Sequence, residues 1–133
     1  MTTRTRNSAG DVGFTPAERA YLATQRLARL ATVDSEGRPQ NNPVGFFVQD
    51  DDTLVLGGYA LATTRKWRNL RANPWLALVV DDLASVTPWR VRGVEVRGEA
   101  ELWEGPHDVS PLMSDELIVI HPRRIISWGM AEE

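Results

Sequence analysis

The chain has 133 residues, room for one domain with one core but not for two. Hydrophobic residues make up 42%, which excludes a disordered chain, and a net charge of −3 argues against nucleic acid as the main partner, since its binders carry a basic footprint. The absence of cysteine excludes disulfides, zinc–thiolate sites and a thiol nucleophile.

Residues 1–13 are polar, lack an apolar signal-peptide core and are expected as a flexible N-terminal arm ahead of a single domain over 14–130. No apolar run nears the ~20 residues of a membrane span, so the expectation is a soluble cytoplasmic protein without a membrane partner. Thr15-Pro16-Ala17-Glu18 is a helix start, with Thr as N-cap, Pro at the first helical position and Glu at N3. That helix should run to about Gln25 and bury Ala20, Tyr21 and Leu22 in part.

From Leu27 the period changes. Leu27 to Val33 reads as a strand, Asp34-Ser35-Glu36-Gly37 as a tight turn and Arg38 to Gln49 as the hairpin partner. Val44, Phe46 and Val48 share one face, and Pro43, lacking an N–H, marks an edge or a bulge. Asp50-Asp51-Asp52 is either a metal site or a solvated turn; such clusters usually solvate a loop tip, so no metal is assigned. Thr53 to Leu56 is the next strand.

The stretch GGYALATTRKWRNLRANP, Gly57 to Pro74, then places a short helix in mid-chain. Thr63 or Thr64 is its N-cap, Trp67 and Leu70 share one face, and Arg65, Arg68 and Arg71 follow another at i, i+3 spacing. Arg65 and Lys66 fall in the first turn, where the helix dipole disfavours cations. Either they are ordinary solvated residues, or the conflict marks a phosphate held by Thr63 to Lys66. Trp75 to Val80 is a buried strand, and Val91 to Trp103 is a long one whose inner face is Val94, Val96, Ala100 and Leu102. Its outer face is wet or covered by a second subunit. Residues 104–116 form a Pro-, Asp- and Ser-rich loop. Leu117 to Ile120 and Arg124 to Trp128 read as two last strands, broken at His121-Pro122.

Roughly six to seven closely spaced antiparallel strands with an N-terminal and a mid-chain helix make a mainly β chain, a small barrel. The catalytic inventory is thin. HExxH, GxSxG and Walker patterns are absent, and the serines have no evident base. An enzyme built this way relies on a cofactor for the hard step. Tyr59 is at best a proton donor, more in keeping with a structural role, and catalytic residues are not assigned. Four of the five tryptophans suit packing. Trp128, in a near-terminal Ser-Trp-Gly, suits the cover of a ligand.

Read together, LATVDSEGRPQNNPVGF, GGYALATTRKWRNLRANP, VVDD, VRGVEVRGEAEL and IHPRRIISWG resemble the pyridoxamine-5′-phosphate-oxidase-like split β-barrel superfamily over about residues 14–130. Within it the chain resembles the actinobacterial branch of oxidoreductases that use the deazaflavin coenzyme F420. The resemblance implies a homodimer with cofactor clefts at the subunit interface. It implies that Thr64, Arg65 and Lys66, with Gly58 just upstream, hold the cofactor phosphate. Asn42, Pro43 and Val44 would line the ring system, with Trp128 near it. Where the flavin oxidases carry an arginine and a lysine on that strand, this chain has Asn42 and Phe47, which speaks against pyridoxamine phosphate oxidation. The implied activity is hydride transfer to a small-molecule electron-poor alkene, enone or conjugated ring. Arg68, Arg71, Arg123 and Arg124 would then face a polyglutamate tail. The alternatives are an FMN-binding oxidoreductase of the same fold, or a non-catalytic flavin-, deazaflavin- or tetrapyrrole-binding protein.

Overall fold

The computed structural model describes residues 3–7, 10 and 12–131. Helix α1, Pro16–Ala23, begins as its sequence dictates. Thr15 Oγ1 accepts from the Glu18 N–H at 3.1 Å, and Glu18 Oε1 accepts from the Thr15 N–H at 2.9 Å, a complete capping box. The helix ends two residues short of Gln25 and buries Tyr21 and Leu22, whereas Ala20 stays exposed.

Strands β2 (Leu27–Val33) and β3 (Pro39–Gly45) form the expected hairpin. Asp34 closes its turn by accepting from the Glu36 and Arg38 N–H groups, and Gly37 supplies the positive φ of +80°. The partner strand is not continuous to Gln49. β3 pairs with β2 up to Gly45, and β4 (Phe47–Val48) pairs instead with β5 (Leu54–Leu56). At Phe46 the chain turns its side chain into the core and leaves the edge of one strand for another, as a curled sheet requires.

A 3₁₀ turn at Leu61–Thr63 and helix α2, Arg65–Ala72, follow. β6 (Trp75–Ser85) outlasts its apolar run by five residues. Its polar end still pairs with the start of β7 (Arg90–Glu104), where Arg92 grips the Asp82 carboxylate with two hydrogen bonds, at 2.7 and 2.9 Å. Backbone pairing, not hydrophobicity, sets that length.

β8 (Glu116–Trp128) is one strand, not two broken at His121-Pro122. Its pairing with β7 slips between Arg97 and Gly98, where Gly98 faces Pro122. A Cβ on Gly98 would collide with the His121 carbonyl oxygen, so glycine lets the backbone close over a proline that cannot donate to the ladder. The Pro122 carbonyl accepts from the Val12 N–H at 2.9 Å.

The segment expected as a flexible arm contributes a strand, β1 (Thr3–Asn7), paired along Arg124–Trp128. Residues 1, 2, 8, 9 and 11 of that segment lie outside the described residues. Arg6 explains the difference: it pairs with Glu18 of α1, an acid of 0% exposure that also accepts from the Ser127 hydroxyl.

The sheet runs β3-β2-β6-β7-β8-β5-β4, antiparallel throughout, with β1 sharing the β5 side of β8. It is a mainly β split barrel, with eight strands and two α-helices among the described residues. Leu30, Leu54, Leu78, Val94, Ile118, Ile120 and Ile125 fill its interior, sealed by Trp67 and Leu70 of α2. No helix among the described residues is long and apolar enough to cross a membrane.

Candidate functional site at the head of helix α2

Thr64 is the N-cap. Its extended backbone (φ −81°, ψ 156°) lets Oγ1 accept from the Trp67 N–H at 3.4 Å while donating to the Leu61 carbonyl at 2.6 Å. No acidic residue stands in the first turn. Arg65 is exposed and Lys66 half-buried, and neither makes an ion pair with any described residue. Burial alone pushes the Lys66 ammonium below its ordinary pKa. A partly desolvated cation thus sits beside first-turn N–H groups that no intrahelical carbonyl reaches, which is the electrostatics of an anion seat.

On β3, Asn42 and Val44 face the same side as Gln40, while Pro43 faces out opposite Arg29. Asn69 of α2 ties this strand to the helix. Its Nδ2 donates to Gln40 Oε1 at 3.1 Å and to Thr32 Oγ1 at 3.0 Å. Asn42 lies two residues along β3 from Gln40, and Arg65 one helical turn before Asn69. The α2–β3 contact therefore sets these two candidate groups on one side of the molecule. Asn69 itself escaped the sequence argument. The signal was there, a polar residue between Trp67 and Leu70 on the face of α2 that turns out to be buried.

Gly58 is held through its carbonyl, which accepts from Ser114 N–H at 2.7 Å and Oγ at 2.9 Å. Trp128 is elsewhere. It pairs with Gly93, itself opposite Asp81, six residues beyond the Trp75 that follows α2. At strand rise that is about 20 Å along β6 from the tail end of α2. Its ring is not free: its Cζ2 fills the space over Gly93. Tyr59 is 82% exposed. Of the basic residues, Arg68 and Arg71 stand exposed on α2, while Arg123 and Arg124 belong to β8, Arg123 lying 3.7 Å from Glu99. The acidic turn is used internally: Asp51 accepts from the Thr53 N–H and hydroxyl, and Asp52 pairs with Arg19. A cleft of about 820 Å³ opens between α1 and the β3–β4 corner, lined by Leu22, Arg26, Phe46 and Phe47 among others, but by none of the eight residues assigned from sequence to the cofactor.

A family profile described as pyridoxamine 5′-phosphate oxidase matches residues 14–128. The chain belongs to the pyridoxamine 5′-phosphate oxidase family. This family member is 41% identical over 119 residues to a 5a,11a-dehydrotetracycline/5a,11a-dehydrooxytetracycline reductase of Streptomyces rimosus, a match that spans 88% of this chain and 84% of that protein. It is an oxidoreductase. Among solved structures it is similar to a conserved hypothetical protein from Mycobacterium tuberculosis (TM-score 0.70, 23% identity, 92% of this chain and 89% of that one), a likeness of fold. It is also similar to a protein named F420 reductase (TM-score 0.58, 27% identity, 75% and 88%). The resemblance seen in the sequence, to the superfamily and its deazaflavin-dependent branch, is borne out by these matches.

Proposed function

We propose that this family member is a reductase that uses coenzyme F420, a deazaflavin, on an electron-poor alkene, enone or conjugated ring. Lys66 is the observation that carries this: a half-buried cation with no acidic partner, in the first turn of α2 beside Arg65. Residues of this type fit a phosphate. Thr64, Arg65 and Lys66 would hold it, with Gly58 before them and Arg68 and Arg71 facing any acidic tail. Asn42, Pro43 and Val44 would line the ring system. The 41% relative, named for a dehydrotetracycline, supports a flat conjugated substrate. When bound, the cofactor supplies the hydride; the chain's own residues bind, orient and exclude water.

The working unit is proposed to be a homodimer with its cofactor cleft at the interface. The outer face of β2 and β6, where Ala31 lies opposite Ala77, Arg29 opposite Val79, and Trp75 is 53% exposed, supports a second copy there. Trp128 would lie near the ring system in that cleft.

The test is titration of the purified protein with oxidised coenzyme F420 and with FMN, followed by tryptophan fluorescence. Reduced F420 is then added with a panel of enones and a dehydrotetracycline. The expected result is tighter binding of F420 than of FMN, and substrate-dependent reoxidation of the deazaflavin. FMN copurifying while F420 fails to bind would make the protein a flavin enzyme. Tight binding of either without turnover on any acceptor would make it a carrier.

A further inference from the structure

The 3₁₀ turn that delivers Thr64 to α2 is capped from across the sequence. The Leu61 N–H donates to Ser114 Oγ at 3.2 Å, and the Ala62 N–H to Glu116 Oε1 at 3.1 Å. Ser114 donates in turn to the Gly58 carbonyl through both its N–H and its hydroxyl, at 2.7 and 2.9 Å. One residue therefore fastens both ends of the stretch Gly58–Leu61. Ser114 is itself held: its carbonyl accepts from His107 Nε2 at 2.7 Å, and the Val109 N–H donates to His107 Nδ1 at 3.3 Å, which keeps the imidazole proton on Nε2. Met113 packs where a Cβ of Gly57 would stand, seating the same loop on the end of β5. A lone 3₁₀ turn has little stability of its own. Here its leading N–H groups are satisfied by Ser114 of the loop between β7 and β8 and by Glu116, the first residue of β8.

We propose that Ser114 is the positioning residue of the anion seat. By fixing Gly58 and Leu61 it holds Thr64, Arg65 and Lys66 ready for a phosphate that Ser114 does not touch. This rests on the phosphate lying at the head of α2. With Ser114 gone, the turn frays and the ligand must order it on binding, so affinity falls for ligands that carry the phosphate.

The experiment compares dissociation constants for phosphate-bearing and phosphate-free probes: FMN against riboflavin, and coenzyme F420 against its phosphate-free deazaflavin alcohol. Proteins are wild type, Ser114→Ala, Ser114→Thr and Lys66→Ala, each with its unfolding curve recorded. Ser114→Ala should weaken F420 and FMN about tenfold and leave the phosphate-free probes within about twofold. Ser114→Thr, which keeps the hydroxyl, should restore most of the loss. Equal weakening of both probe classes would make Ser114 a general structural residue and overturn the proposal. So would unchanged F420 affinity in Ser114→Ala beside a loss in Lys66→Ala. Unchanged affinity in Lys66→Ala would instead overturn the anion seat itself, and the role of Ser114 with it.

Discussion

The indole of Trp128 occupies the space that a side chain at Gly93 would need. A Cβ there would stand 2.5 Å from Trp128 Cζ2 and 3.0 Å from Asp81 Cβ. Trp128 is paired with Thr3 and Gly93, and Gly93 with Trp128 and Asp81, so neither backbone can retreat freely. Gly93→Ala should cost about 1–3 kcal/mol by overpacking and shift tryptophan emission as the ring is displaced. Urea unfolding with fluorescence detection measures both. A variant as stable as the parent, with unchanged emission, would show that Trp128 moves aside at no cost.

Arg6 and Glu18 make the described part of the N-terminal segment integral to the fold. Burial pushes the Glu18 carboxyl up, but hydrogen bonds from Arg6, Ser127 and the Thr15 N–H outweigh it and hold the pKa below 4.5. A depressed folded pKa adds stability that is present above the unfolded value and lost as pH falls through the folded one. Wild-type stability should therefore decline below about pH 4.5. In Arg6→Ala the buried charge loses its counterion, at a cost of about 3–5 kcal/mol at neutral pH. Losing Arg6 removes two of the causes that lower the folded pKa, so that pKa rises. Less of the Glu18 contribution is then lost in acid, so the variant's deficit should shrink toward acid pH. Adding Glu18→Gln should recover part of the loss. Denaturant unfolding across the acid range checks all three, and a deficit independent of pH would assign the effect to β1 packing instead.

Lys66 gives the binding prediction. Removing a charge-assisted contact to phosphate in Lys66→Ala or Arg65→Ala should weaken coenzyme F420 roughly ten- to hundredfold, with the fold intact because both side chains lie outside the core. Burial lowers the Lys66 pKa below 10.5 in the free protein, and a bound anion favours the charged form. Affinity should therefore fall as pH rises through that lowered value, and this alkaline loss should vanish in Lys66→Ala. Calorimetric titration across the alkaline range reads both effects.

What the sequence revealed, and what it hid, follows from the range of the interactions. Local rules sufficed where the decision was local. The Thr15–Glu18 capping box, the Asp34–Gly37 turn, Leu27–Val33 and the Thr64 cap all fall where the residues say. The misses are decisions taken across the sheet. Pro122 looks like a break until Gly98 is seen beside it, and the polar end of β6 looks like a loop until Arg92 reaches Asp82. Residues 3–7 look idle until Arg6 meets Glu18. The site divides the same way. Thr64 was legible because it follows the N-cap preference, and Arg65 and Lys66 because two cations in a first turn break the charge rule. Asn69 and Ser114 were not, because Thr32 and Gln40, which Asn69 joins, and Gly58 and Leu61, which Ser114 fastens, are 29 to 56 positions away.

Asn69 joins α2 to the β2–β3 hairpin and should behave as one unit with Thr32. Both are buried, at 6% and 2% exposure, and Asn69 Nδ2 serves Thr32 Oγ1 and Gln40 Oε1 together. Asn69→Leu nearly conserves volume but leaves a buried hydroxyl and an amide oxygen short of a donor, which should cost about 1–3 kcal/mol. Thr32→Val alone removes the hydroxyl but strands part of the Asn69 amide, a similar fault. In the double variant Thr32→Val/Asn69→Leu neither group is left waiting, so the combined cost should be smaller than the sum, with a coupling of about 0.5–3 kcal/mol. Because Asn69 sets the helix against the strand bearing Asn42, the single Asn69→Leu change should also weaken cofactor binding, although the side chain lies a full turn behind the proposed phosphate. A double-mutant cycle in urea tests the coupling, and strictly additive costs would mean that the two bonds act independently and that the hairpin, not Asn69, positions α2.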